Sequence, residues 1–107
     1  FAEEGCSLLL WDIAPSVRET ADDLRSLGFD VDAKVVDLVV LERTKQAYQT
    51  LVQSGRVVDH VVHCAAIGSG KFGFPFTQLA PDDWRRTLDV NIMSMVNLAD
   101  VIAPSMM

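Results

Sequence analysis

Three short apolar runs, separated by two stretches of helical periodicity and followed by a third, restrict this chain to a narrow set of architectures. Residues 7–11 form a first strand candidate and 31–38 a second with Asp37 at its end. Residues 57–65 form a third. A strand with one face in water alternates polar and apolar residues. Near-continuous apolar strands interleaved with helices instead indicate a parallel sheet covered on both faces. Residues 16–27 read as the first helix, with Ser16 and Glu19 as a capping box. Val17, Ala21, Leu24 and Leu27 form its apolar stripe and Gly28 its stop. Residues 41–54 read as the second, with Leu41, Ala47, Tyr48, Leu51 and Val52 inward and Gly55 as terminator. Residues 66–76 are rich in glycine and aromatics and read as a loop. Pro81 then opens a long helix, with Asp82 and Asp83 in its first turn and a stripe of Trp84, Leu88, Asn91, Met95, Ala99 and Ile102.

The 107 residues suffice for at most one domain, and half of them are hydrophobic. A net charge of −6 leaves no basic surface for nucleic acid and disfavours a role at a membrane surface. No run is long enough to span a bilayer and no leader is evident. Cys6 and Cys64, each in an apolar run, are expected to be reduced, buried thiols of a cytoplasmic protein. The chain opens on Phe1-Ala2-Glu3-Glu4-Gly5, which reads as the end of a helix, and stops at Met106-Met107 inside another, as an internal fragment would.

In open parallel sheets ligands lie beyond the carboxyl ends of the strands, which singles out Asp12, Asp37 and residues 63–68. A carboxylate at Asp12 can accept hydrogen bonds from both hydroxyls of a dinucleotide ribose, and its charge repels a 2′-phosphate. It could equally be a helix cap, a role Ser16 is expected to fill. Asp37 could meet an adenine ring or cap the next helix. Gly68-Ser69-Gly70-Lys71 is not a phosphate-binding P-loop. Ala65 stands where the leading glycine is needed, and Phe72 stands where Ser or Thr is needed. His60 and His63, three apart on a strand, would face opposite ways and could not share a metal. Cys64 lacks a visible activating base and reads as a small buried residue. Asn91 falls on the apolar helix face, where its amide requires partners, either across a helix–helix contact or in a catalytic role.

Taken together these positions resemble the classical short-chain dehydrogenase/reductase family over nearly the whole chain. The opening helix end, an apolar run and then Asp12 are similar to the family's passage from first helix to second strand, where an acid goes with NAD rather than NADP. Asp37-Leu38 resembles the pair that holds the adenine. Val61-Val62-His63-Cys64-Ala65-Ala66-Ile67 stands where the family has its Asn-Asn-Ala-Gly strand end, with His63 and Cys64 replacing the asparagines and Ala66 the glycine. Pro81-Asp82-Asp83-Trp84 followed by Asp89-Val90-Asn91 carries the family's spacing from tryptophan to the asparagine of its Asn–Ser–Tyr–Lys tetrad. Ala103-Pro104-Ser105-Met106 resembles the end of that helix.

The resemblance implies a Rossmann-like, doubly wound parallel sheet, with residues 1–107 the central part of one NAD(P)-binding domain. The first strand and the C-terminal half would lie outside it. It implies an NAD-dependent oxidoreductase interconverting an alcohol with a ketone or aldehyde by hydride transfer. Asp12, Ile13, Asp37, Leu38, Cys64, Ala65 and Ala66 would meet the cofactor. Asn91 would be the catalytic asparagine behind a water-linked proton relay. The glycine loop would precede Phe1, and the serine, tyrosine and lysine would follow Met107, so the fragment itself is expected to be inactive. With the central strand outside the chain, the isolated fragment is also expected to be molten or aggregated. A homotetramer or homodimer is usual in the family, with the helix after Pro81 in an interface. Asp59-His60-Val61-Val62-His63-Cys64-Ala65-Ala66 also resembles the strand end of extended members such as sugar-nucleotide epimerases and dehydratases. A non-catalytic NAD-binding sensor would keep Asp12, and a receiver-like domain fits less well.

Overall fold

A computed structural model describes all 107 residues and divides them into two compact units, Phe1–Asp37 and Leu38–Met107. In the first unit a short 3-10 turn, Ala2–Glu4, ends on Gly5, whose φ of 85° lies in the left-handed region that glycine adopts without strain. Strand β1 (Leu8–Asp12), helix α1 (Val17–Ser26) and strand β2 (Val31–Val35) follow, and the two strands pair in parallel with Leu8 opposite Val31 and Asp12 opposite Val35. The ladder closes where the Val36 amide donates to the Asp12 carbonyl at 2.8 Å, so the second strand is shorter than its apolar run.

Helix α1 lies on this pair and buries Ala21 completely, with Val31 and Val36 almost completely buried in the same unit. Arg25 ties the end of α1 to the start of β2. Its Nε donates to the Val31 carbonyl at 2.6 Å, and its two terminal nitrogens reach Asp22 (2.7 Å) and Asp32 (3.2 Å). Leu27, expected to extend the buried stripe, is 72 % exposed because it sits one residue past the last helical position, where the chain has left the helical path. The expected capping box at Ser16 does not form: Ser16 has helical backbone angles and makes no side-chain cap bond.

The second unit contains helix α2 (Leu41–Gln53), helix α3 (Pro81–Leu88), a π-helical turn (Asp89–Met93) and helix α4 (Ser94–Met106). Helices α2 and α4 pack together, and Thr44, Ala47 and Leu51 on one, with Ser94, Leu98 and Ile102 on the other, are the buried residues of this unit. Val52, expected to face inward, is 53 % exposed. The long helix expected from Pro81 is present, but it is interrupted. The Ser94 amide bonds to the Asp89 carbonyl, five residues back rather than four, which widens one turn. Its covered positions include Asp83, Thr87, Asn91, Ser94, Leu98 and Ile102, whereas Trp84, Leu88, Met95 and Ala99 are exposed. The helix continues through Pro104 to Met106.

The third strand is a correction. Residues 57–65 belong to no sheet, and the only sheet has two strands. A strand is defined by backbone bonds to a neighbour, and this segment has none to either strand. Most of its apolar side chains are therefore uncovered, Val57 at 78 % and Val62 at 62 %. Cys64, expected to be buried, is exposed for the same reason, and Cys6 is exposed in the turn before β1.

Deleting side-chain volume in the second unit should be felt only where it is enclosed. In the gene product that carries this chain, Leu98→Ala should cost about 2–5 kcal/mol. Leu27→Ala should stay within about 0.5 kcal/mol in the same urea titration.

Candidate active site

In the first unit the carboxyl ends of the paired strands present Asp12, Ile13 and Asp37. Asp12 is the last residue of β1, and its Oδ1 accepts the Ala14 amide at 2.9 Å. That bond shapes the turn leading toward α1, whose first amides, of Val17 and Arg18, bond to the Ala14 and Pro15 carbonyls and to no side-chain cap. The carboxylate stays exposed, and one amide bond leaves it capacity to accept further hydrogen bonds. Ile13 beside it is 64 % exposed and Asp37 is half-buried.

The second unit holds Leu38, the segment from His63 to Ile67, and Asn91. The half-buried Asn91 carboxamide pairs with both backbone groups of Ile67. Its Oδ1 accepts the Ile67 amide at 2.7 Å and its Nδ2 donates to the Ile67 carbonyl at 2.9 Å. Its partners are thus a loop backbone, neither of a second helix nor of a side chain. The bond pair fixes the chain immediately after Cys64, Ala65 and Ala66, all three exposed.

Three further contacts escaped the sequence reading. His63 Nε2 lies 2.9 Å from the buried Ser94 Oγ, which also bonds to the Val90 carbonyl. Asn97 Nδ2 donates to the carbonyls of Leu38 (2.9 Å) and Val39 (3.1 Å), holding the entry to α2. Lys71 Nζ meets Asp83 Oδ2 at 2.7 Å, and that same oxygen accepts the Ala80 amide at 2.8 Å. The Lys71 ammonium, and after it the Ala80 amide, hold the Asp83 carboxyl below the ordinary aspartate range. The available signal was Ser94 and Asn97 recurring after Asn91 on neighbouring helix positions, polar residues amid an apolar stretch.

The model for short chain dehydrogenases matches residues 1–107 from end to end. The chain belongs to the short-chain dehydrogenase family. Galactitol 2-dehydrogenase of Rhizobium johnstonii is 32 % identical to it over 91 residues, 85 % of this chain and 35 % of that protein. Two solved short-chain dehydrogenase-like chains superpose closely. Gluconate 5-dehydrogenase from Burkholderia cenocepacia, crystallised with NADP and tartrate, has a TM-score of 0.84 at 25 % identity, over 96 % of this chain and 40 % of that one. A 3-ketoacyl-ACP reductase from Sinorhizobium meliloti has a TM-score of 0.86 at 25 % identity, over 97 % of this chain and 40 % of that one. The chain therefore spans well under half the length of each. Its α/β arrangement is an incomplete Rossmann-like fold, with a parallel pair where longer members have a wider sheet. No helix is long and apolar enough to cross a membrane.

Two outcomes follow for the gene product that carries this short-chain dehydrogenase segment. Asn91→Ala strips Ile67 of both partners and should cost about 1–3 kcal/mol. Asn91→Asp should not restore the loss, because a carboxylate cannot donate to the Ile67 carbonyl; chemical denaturation of the three proteins measures this. The depressed Asp83 carboxyl should contribute stability in full above the ordinary aspartate value and lose it as the pH falls through its lower folded value. Asp83→Asn should therefore narrow the stability gap between neutral and acid pH, read from melting temperatures across that range.

Proposed function

We propose that this chain forms the ribose-binding and asparagine-bearing part of an NAD-dependent oxidoreductase that interconverts an alcohol and a carbonyl. The observation that carries the reading is Asp12: an exposed carboxylate at the carboxyl end of β1, held in orientation by the Ala14 amide. It suits two neutral ribose hydroxyls and opposes a 2′-phosphate, and Ile13, Ala14 and Pro15 after it offer no cation to offset that repulsion. The residues present fit such a cofactor. Ala65 and Ala66 carry nothing larger than a methyl group, and Ile67 beyond them is pinned by Asn91.

The nicotinamide group would supply the hydride acceptor or donor. Asp12 would bind the ribose, Asp37 and Leu38 would border the adenine, and Ile13, Cys64, Ala65 and Ala66 would line the approach. Because the Asn91 carboxamide is engaged with Ile67, what it offers a water-linked relay is a fixed turn of helix. The matched relatives bear the names of a polyol and a sugar-acid dehydrogenase, which makes polyols and sugar acids the first substrates to try. A family match over every residue favours this reading over a receiver-like domain and over the extended branch.

Calorimetry on the gene product carrying this chain tests the assignment, with NAD⁺ and NADP⁺ titrated into wild type and Asp12→Ala. Wild type should prefer NAD⁺. The substitution removes hydrogen bonds to a charged acceptor and should weaken NAD⁺ by about 1.5–3 kcal/mol, roughly ten- to a hundredfold. Equal affinities in wild type, or an unchanged preference in Asp12→Ala, would sink the NAD assignment.

A further inference from the structure

The Ser94 hydroxyl is 1 % exposed and has one proton to give and two neighbours to satisfy. The Val90 carbonyl can only accept, so the Ser94 proton goes there. His63 Nε2 must then be the donor at 2.9 Å. This assigns the Nε2–H form to the neutral ring, and the protonated ring keeps the same donor.

The target of this chain of bonds matters. In a regular α-helix the Val90 carbonyl would receive the Ser94 amide. In the π-turn that amide goes to Asp89 instead, and the Ser94 hydroxyl takes its place at Val90. The widened turn is thus held from outside the helix by His63. Asn91 lies within that turn, and its carboxamide meets Ile67, four residues after His63. The segment 63–67 is joined to the turn at both ends.

We propose that His63 is a positioning residue for Asn91: through Ser94 it maintains the π-turn that aims the Asn91 carboxamide at Ile67. The catalytic consequence rests on the assignment of Asn91 to the proton relay; the structural link does not. His63 replaces an asparagine of the family pattern, and the longer side chain with a donor at its tip is what reaches Ser94.

The test uses His63→Gln, whose Nε2 can occupy the place of the ring nitrogen, His63→Leu, which fills space without a donor, and Ser94→Ala, which removes the hydroxyl from the helix side. All are made in the gene product that carries this chain. Amide hydrogen exchange at Ile67 and Ser94 is read alongside kcat and KM for NAD⁺-dependent alcohol oxidation. His63→Leu and Ser94→Ala should both speed exchange at those two amides. They should lower kcat by roughly ten- to a hundredfold with KM near wild type, and His63→Gln should restore exchange and kcat together. Wild-type exchange and kcat in His63→Leu, or a His63→Gln as impaired as His63→Leu, would overturn the proposal. If His63→Leu does not fold, Ser94→Ala against wild type decides by the same exchange readout. If wild type shows no turnover with either nucleotide, the oxidoreductase reading falls, while exchange at Ile67 and Ser94 still decides the His63 link.

Discussion

The second unit depends on one side chain closing two backbone bonds. Asn91 gives Ile67 both a donor and an acceptor, as a strand neighbour would, although that segment pairs with no strand. Residues 57–67 have no ladder, so their backbone must find partners elsewhere, and a carboxamide has the right pair of groups at the right separation. The helix presents that carboxamide from a turn that departs from α geometry. Such turns lose regular bonding locally and persist where surrounding contacts hold them. Here the contacts are Ser94 and His63 on one side and Ile67 on the other.

In the first unit a small carboxylate serves two purposes. Asp12 completes the parallel ladder through its carbonyl and forms the turn into α1 through its side chain. That local duty fixes where the carboxylate stands, and its remaining capacity faces outward. A group oriented by its own backbone needs little reorganisation on meeting a ligand, which suits a residue that reads the difference between a hydroxyl and a phosphate. Arg25, bonded to Val31, Asp22 and Asp32, steadies the opposite end of the same pair.

The order of elements was legible because strand–helix alternation and helix periodicity are properties of the chain alone. The positions of β1, α1, β2 and α2, the opening of α3 at Pro81 and the covered place of Asn91 all followed from it. The third strand was not, because residues 57–65 carry a strand's composition but pairing is a property of two segments. The buried face of the long helix was misread for a related reason. Asp83, Thr87 and Ser94 look like surface residues, yet Lys71, the Asp83 carbonyl and the Val90 carbonyl satisfy them, and Trp84, Leu88 and Met95 are left exposed. Hydropathy cannot register a polar group that brings its partner. The cap at Ser16 failed because its backbone already has helical angles, and the Val17 and Arg18 amides bond instead to the Ala14 and Pro15 carbonyls.

The π-turn stores one residue more than an α-helix of the same span would use. Each residue of an α-helix turns the chain by about 100°. Removing one residue from the interval 89–93 would let ordinary bonding resume, and α3 would rotate by about that angle relative to α4. Asp83 would swing away from Lys71 while Leu98 and Ile102 kept their place against α2. The phase between the two halves of this helix is therefore set by chain length as well as by the contacts that hold the turn.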